Sequence, residues 1–277
     1  MKKKSGKKNQ QVFAKRSFGQ NFLIDPNYIT KIISALNPQA NETIIEIGPG
    51  RGALTERILE SGARLIAVEL DKDLIPVLKK EFSHYENFNL IQNDALKINY
   101  SEIIKLHSQL SKKLVANLPY NISTAILQHL TRYSNNFEYL ILMLQKEVVE
   151  RITAEAGNKQ RGFLTVLIGA YFETQKLFDV PPNAFRPAPK VWSSVIRLMP
   201  KTIDKNLSGN EKLFRDLISI GFAQKRKTIY NNLKNAGEIL YKKDLTEILL
   251  ENEIDPKRRA ETLTIDEWLN LTESFAR

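Results

Sequence analysis

Asn117, Leu118, Pro119 and Tyr120 follow an apolar run, Val115–Ala116, and none of the four carries a charge. An amide, a proline and a phenol ring make a poor nucleophile and a poor base, but they can hold a planar nitrogen heterocycle. The lone pair of an adenine amino group is delocalised into its ring, so that amine attacks weakly. A site that methylates it must accept both N–H hydrogens and fix the base beside the donor. The side-chain carbonyl of Asn117 offers one acceptor and the backbone carbonyl of Leu118 a second. Pro119 fixes the turn that aims the carbonyl, and Tyr120 offers a flat face for stacking. A plain proline turn closing a strand would use the same four residues, so further signals are needed.

Three such signals lie upstream. EIGPGRG (46–52) places Gly48, Gly50 and Gly52 at the end of an apolar run and the start of a helical one. The spacing is G-x-G-x-G, not the G-x-G-x-x-G of dinucleotide binders. It lets the backbone turn tightly and approach a ligand, although any strand-to-helix turn could use it. Glu69 ends the next run, 21 residues after Gly48, where a carboxylate accepts from both hydroxyls of a ribose. Asp94, in QNDA, ends the third run; a carboxylate there accepts from an adenine amino group or caps a helix. Together they mark an adenosine pocket, which serves NAD and S-adenosylmethionine alike. The neutral fourth end favours S-adenosylmethionine, whose sulfonium methyl needs no metal, nucleophilic side chain or strong base.

The elements that must position these residues can be read from periodicity. Apolar runs at 43–48, 64–70, 88–94, 113–119 and 139–145 read as strands. Helical spacing lies between most of them, at 52–61, 73–85 and 123–133, and again at 146–156. Strands alternating with helices predict an α/β, Rossmann-like fold built on a mostly parallel sheet. Residues 162–172 are apolar enough for either element, and their length favours a helix. Residues 174–180 and 191–199 are expected to pair antiparallel across a proline-rich ordered loop. A linker follows Pro200, and then only helical periodicity. The expected division is a basic leader at 1–16, expected to be disordered, a catalytic domain at 17–200 and a small all-α domain at 205–277.

Composition narrows the classes. The chain has 277 residues, 42% of them hydrophobic, and no cysteine, so disulfides and cysteine-based zinc sites are excluded. His84, His107 and His129 are scattered with no metal-binding spacing, and no metal is expected. No apolar run approaches a membrane span, and MKKKSGKKNQQ has no apolar segment of a secretory signal. The expected location is the cytoplasm, without a membrane partner. The net charge is +10, and residues 1–16 hold seven basic residues and no acid. That tail is a solvated leader or an arm for phosphates. Lys225, Arg226 and Lys227 are expected on a helix, as a solvated face or as an RNA-docking patch; Lys257, Arg258 and Arg259 form a weaker case.

FGQNFLID (18–25), EIGPGRGALT (46–55), AVELDKDL (67–74), QNDAL (92–96), VANLPYNIST (115–124), MLQKEVVERI (143–152) and VPPNAFRPAPKVWSSVIRL (180–198) resemble the successive motifs of the ribosomal RNA adenine dimethyltransferases. GFAQKRKTIYNNL (221–233) is similar to the small-subunit branch, in its bacterial KsgA-type form. The resemblance runs from about residue 15 to 265; the lysine-rich leader lies outside its pattern. It implies the S-adenosylmethionine-dependent methyltransferase fold. It also implies dimethylation of N6 on two adjacent adenosines near the 3′ end of small-subunit (16S) rRNA, with S-adenosylhomocysteine as product.

By that resemblance Asn21 and Leu23 close over the methionine end of the cofactor and Gly48 meets it through its backbone. Glu69 takes the ribose, and Asp94 with Ala95 the adenine. Asn117, Leu118, Pro119 and Tyr120 receive the target base, and Phe185 stacks on its opposite face or else plugs the loop. The implied partner is the small ribosomal subunit with its rRNA, and a monomer is expected. The rivals are a resistance methyltransferase acting on large-subunit rRNA, a mitochondrial relative, and a non-catalytic subunit-assembly factor. FAQKRKTIYNNL argues against the first, a leader without arginine before Arg16 against the second, and intact Glu69, Asp94 and Asn117 against the third.

Overall fold

A computed structural model describes residues 19–107, 111–234 and 244–277; the basic leader lies outside the described residues. Five strands run parallel: β2 (Thr43–Ile47), β3 (Arg64–Glu69), β4 (Phe88–Gln92), β5 (Lys112–Asn117) and β6 (Tyr139–Gln145). Antiparallel β7 (Phe172–Val180) and β9 (Ser193–Pro200) complete a seven-stranded sheet, ordered β4-β3-β2-β5-β6-β9-β7. A separate two-residue ladder joins β1 (Phe22–Leu23) to β8 (Phe185–Arg186).

The sheet is covered on both faces, which is why its strands read as near-continuous apolar runs. Alternation within them still sorts side chains to two cores. Ile44, Leu65, Val115 and Ile141 pack with α1 (Pro26–Leu36), α2 (Thr55–Glu60) and α3 (Ile75–Phe82). Ile45, Ile66, Leu114 and Leu140 pack on the other face with α4 (Tyr100–His107), α5 (Ser123–Leu130), α6 (Lys146–Ile152) and α7 (Phe163–Tyr171). Strand order reverses between β2 and β5, with β3 and β4 extending one way and β6 the other. Such a switch point opens a crevice at the carboxyl ends of the strands.

The apolar stretch at 162–172 is helical over Phe163–Tyr171, and all but Phe163 of these residues are buried. Its outer side carries α8 (Glu211–Gly221), α9 (Ile229–Leu233), α10 (Leu245–Glu251) and α11 (Ile265–Ala276), which share one apolar cluster with it. Fully buried Trp268 of α11 stacks on Phe222, ring centroids 5.7 Å apart. A Cβ at Gly221 would stand 2.2 Å from Trp268 Cη2, so only glycine admits this approach.

Two expectations need correction here. Lys225, Arg226 and Lys227 are not helical: α8 ends at Gly221, α9 begins at Ile229, and the three lie exposed in the turn between. Thr228 enforces the restart, its hydroxyl accepting from Asn231 N–H as an N-cap. The strand expected from Val191 begins at Ser193, leaving Val191 and Trp192 outside the ladder and 43% and 50% exposed. No helix among the described residues is long and apolar enough to cross a membrane.

Candidate active site at the carboxyl ends of the parallel strands

Each parallel strand from β2 to β5 ends at, or within two residues of, a residue singled out by its chemistry. After β2 the chain turns through Gly48, Gly50 and Gly52 at φ +68°, +59° and +85°. A Cβ at Gly48 would meet no atom within 4 Å, so the loop backbone there faces open space. Side chains other than glycine are strained at this φ by about 1–2 kcal/mol. Gly48 N–H donates to the Val68 carbonyl at 2.9 Å and pins the loop to β3.

Glu69 closes β3, 6% exposed. Its Oε1 accepts from Asp71 N–H at 2.8 Å and its Oε2 from Gly50 N–H at 3.3 Å. Burial raises its pKa above the ordinary carboxylate value, and these backbone donors pull it back. The glycine loop and the acid are thus one unit, joined by a hydrogen bond. Asp94 follows β4. Its Oδ1 accepts from Leu96 N–H at 3.0 Å, so one oxygen serves the local turn while the carboxylate still lines the cleft. No helix starts at Asp94, since the next begins at Tyr100, so this bond closes a turn and is not a helix cap.

Asn117 ends β5, and its Nδ2 donates to the Asn21 carbonyl at 3.1 Å. One of its two N–H donors is committed there, and no group among the described residues hydrogen-bonds Oδ1, which remains an acceptor on a cleft-lining residue. Leu118 N–H bonds the Met143 carbonyl at 3.1 Å; the residue as a whole is 1% exposed and lines neither cavity, and no group among the described residues hydrogen-bonds its carbonyl. Ile122 N–H closes the turn on the Pro119 carbonyl at 3.2 Å. Half-buried Tyr120 is tied at its phenol to Ser193 Oγ, 2.6 Å away; burial raises its pKa and the Ser193 bond lowers it, leaving it neutral at ordinary pH.

One cleft is lined by Asn21, Gly48, Glu69, Asp94, Ala95, Asn117 and Pro119. Leu23 is 5% exposed and lines a smaller adjoining cavity that shares Phe22, Gly48, Gly50 and Asn117 with the cleft. Phe185 is brought to neither. Its ring is 3% exposed, opposite Leu23 in the β1–β8 ladder, and it plugs the loop onto the core instead of presenting a stacking face. Arg258 also changes role: it grips Glu267 (2.5 and 3.0 Å) and the Thr262 carbonyl (2.7 Å), leaving only Lys257 and Arg259 as exposed cations of that trio.

Sequence reading passed over several lining residues. Leu70 lines the cleft while 46% exposed, an apolar wall on which a base can lie. Asp71 is 2% exposed, takes Gln20 Nε2 at 3.1 Å and anchors the segment before β1. Glu46 is buried within β2, receives the Thr55 hydroxyl at 2.6 Å, and has its pKa raised to about 7, chiefly by burial. Both acids stood in view, in VELD and IEIG, but nothing in those strings says that either is enclosed. Among the described residues no cluster of three or more His, Asp or Glu is placed to hold a metal ion.

The cleft brings together two carboxylates, Glu69 and Asp94, a glycine backbone that faces open space and the neutral amide of Asn117, while Leu118 and Tyr120 line neither cavity. A family model described as ribosomal RNA adenine dimethylase matches residues 12–277. The chain belongs to that family. As a ribosomal RNA adenine dimethylase it is 40% identical over 275 residues to a ribosomal RNA small subunit methyltransferase A of Saccharophagus degradans, spanning 99% of each chain. A protein of the same name from Staphylococcus aureus is 43% identical over 263 residues, 94% of this chain and 89% of that one. Among solved structures, a dimethyladenosine transferase from Plasmodium falciparum superposes with a TM-score of 0.76 at 26% identity, covering 90% of this dimethylase and 95% of that chain. The 23S rRNA methyltransferase ErmE shares the fold at TM-score 0.68 and 21% identity, covering 93% and 100%.

Proposed function

We propose that this dimethylase uses S-adenosylmethionine to dimethylate N6 of two adjacent adenosines near the 3′ end of small-subunit rRNA, as a step in subunit biogenesis. The observation that carries the reading is the commitment of Asn117 Nδ2 to the Asn21 carbonyl. It leaves Asn117 Oδ1 and the Leu118 carbonyl without hydrogen-bonding partners among the described residues, two neutral acceptors of the kind a weakly nucleophilic amine with two hydrogens requires. The small-subunit choice rests on the names of the bacterial relatives.

The cleft fits S-adenosylmethionine. Open space against the Gly48 backbone admits a ligand where any side chain would intrude. Glu69 would hold the ribose hydroxyls, Asp94 with Ala95 the adenine, and Asn21 with Leu23 the methionine end. When bound, S-adenosylmethionine supplies a sulfonium methyl, an electrophile that needs no activation by the protein.

The remaining work falls to the chain. Asn117 and Leu118 accept the N–H hydrogens of the target amine and orient its lone pair. An amine already carrying one methyl has one hydrogen left, so one acceptor still positions it. Tyr120, fixed at Ser193, offers its ring to the base, and the base must leave its stack at a cost of a few kcal/mol, which favours a loop over a duplex. Lys225, Arg226 and Lys227 would meet phosphates far from the reacting base.

The test is transfer of labelled methyl to unmethylated small subunits, to large-subunit RNA and to buffer, followed by digestion to nucleosides. Label in N6,N6-dimethyladenosine from small subunits alone is expected. Label in large-subunit RNA would replace the substrate, and no label in any arm would remove the reading.

A further inference from the structure

Trp192 is the most exposed aromatic side chain beside the proposed target pocket, at 50%. It directly precedes Ser193, whose hydroxyl anchors Tyr120 at 2.6 Å. Its carbonyl accepts from Lys146 N–H at 2.9 Å, and Lys146 Nζ sits 5.9 Å from its ring centroid. The residue is therefore held at its backbone and its ring, next to the serine that bonds Tyr120 of the turn that would receive adenine. The other tryptophan, Trp268, is fully buried.

Several cations lie around Trp192. Lys146 and Lys176 both pair with Asp179, at 2.9 and 2.7 Å, and Glu150 also acts on Lys146. Arg186 and Lys190, in the same loop as Trp192, are exposed. An exposed apolar ring among cations, next in sequence to the anchor of Tyr120, suits a single-stranded polyanion with flat bases better than an apolar protein face.

We propose that Trp192 is a stacking platform for a nucleobase that flanks the target adenosine on the RNA strand, a positioning residue for the dimethylation. This rests on the adenine-methylation reading above. Neither the chemistry nor the cofactor cleft requires Trp192, so its loss should weaken engagement of RNA without slowing transfer on saturated enzyme.

Two readouts test it. In the first, a single-stranded A-rich hexaribonucleotide is titrated at low salt while tryptophan emission is followed. Quenching is expected in the full chain and absent in Trp192→Phe, where only buried Trp268 emits. In the second, methyl transfer to small subunits is compared across variants. Trp192→Ala should raise KM about tenfold with kcat within twofold, and Trp192→Phe should restore most of the KM. An active enzyme whose KM is unmoved by Trp192→Ala and whose emission ignores the oligonucleotide overturns the platform and leaves adenine methylation standing. A raised KM without quenching places a protein, not a base, against Trp192 and also overturns it. A chain that methylates no RNA removes the adenine-methylation reading, and the quenching titration then decides alone whether Trp192 stacks on RNA.

Discussion

The Nδ2 group of Asn117 lies 3.1 Å from the Asn21 carbonyl, and an aspartate there would set a carboxylate oxygen against that carbonyl. Asn117→Asp should therefore fail as badly as Asn117→Ala, each losing about 10²–10³ in kcat, although aspartate keeps two acceptors. Single-turnover methyl transfer reads this directly, and an aspartate variant near wild-type rate would mean that the amide donor is dispensable. Glu46 makes a prediction for stability. Its pKa is raised to about 7 by burial, with the Thr55 hydroxyl lowering it and Glu69 raising it further. The folded chain thus binds this proton more tightly than the unfolded one, where the carboxyl titrates near 4.5. The contribution of Glu46 to stability must fall as pH rises from about 4.5 to 7 and stay lower above that. Glu46→Gln keeps an acceptor for Thr55 and should be more stable than the parent at pH 8, by about 2–3 kcal/mol, with the difference vanishing near pH 4. Urea titrations at the two pH values check both the sign and the window. At this scale the glycines, Glu69, Asp94 and Asn117 were legible because their offsets from strand ends are fixed by the fold. Enclosure was not: a string cannot tell the plugged ring of Phe185 from an open one, nor Glu46 from an exposed acid.

At the scale of elements, close approaches and one buried ion pair hold the sheet and the helices. Lys113 Nζ lies 2.6 Å from Glu42 Oε1 and donates to the Asn37 carbonyl at 3.1 Å, joining β5 to the chain that enters β2. Both residues are below 10% exposure. Lys113→Met strands a buried carboxylate and should cost about 3–5 kcal/mol, much of which Lys113→Met with Glu42→Gln restores; denaturant midpoints of the three proteins measure it. Gly221→Ala drives a methyl onto Trp268, 2.2 Å from its Cη2, and should cost about 1–3 kcal/mol. The parallel strands, the antiparallel pair and the helix at Phe163–Tyr171 followed from run length and alternation, whereas the order of strands in the sheet did not. The break between α8 and α9 did not, because helical periodicity continues through GFAQKRKTIYNN while the Thr228 cap and the Gly221–Trp268 packing interrupt the backbone. The Gly221–Trp268 contact is tertiary, and the Thr228 cap is a single local bond; neither changes the apolar period.

On the scale of the whole molecule, a small chemical cleft has to be brought to a target many times its size. The exposed turn with Lys225, Arg226 and Lys227 would supply phosphate contacts that carry no sequence information. Replacing all three by alanine should raise KM for subunits and flatten the dependence of log affinity on log salt by about 2–3. The affinity for S-adenosylhomocysteine should stay unchanged. Binding titrations at several salt concentrations separate that outcome from a solvated face, which would leave the slope as it is. The charge was visible in the sequence; its presentation on a turn was not.

The central claim is that the turn Asn117–Tyr120 is where adenine is methylated. The most direct measurement pairs subunit binding with product analysis for wild type and Asn117→Ala. The account predicts equal binding of small subunits by both proteins, N6,N6-dimethyladenosine from the wild type, and almost no labelled nucleoside from the variant. Dimethyladenosine formed by Asn117→Ala at the wild-type rate would place the chemistry elsewhere on the chain and contradict the account.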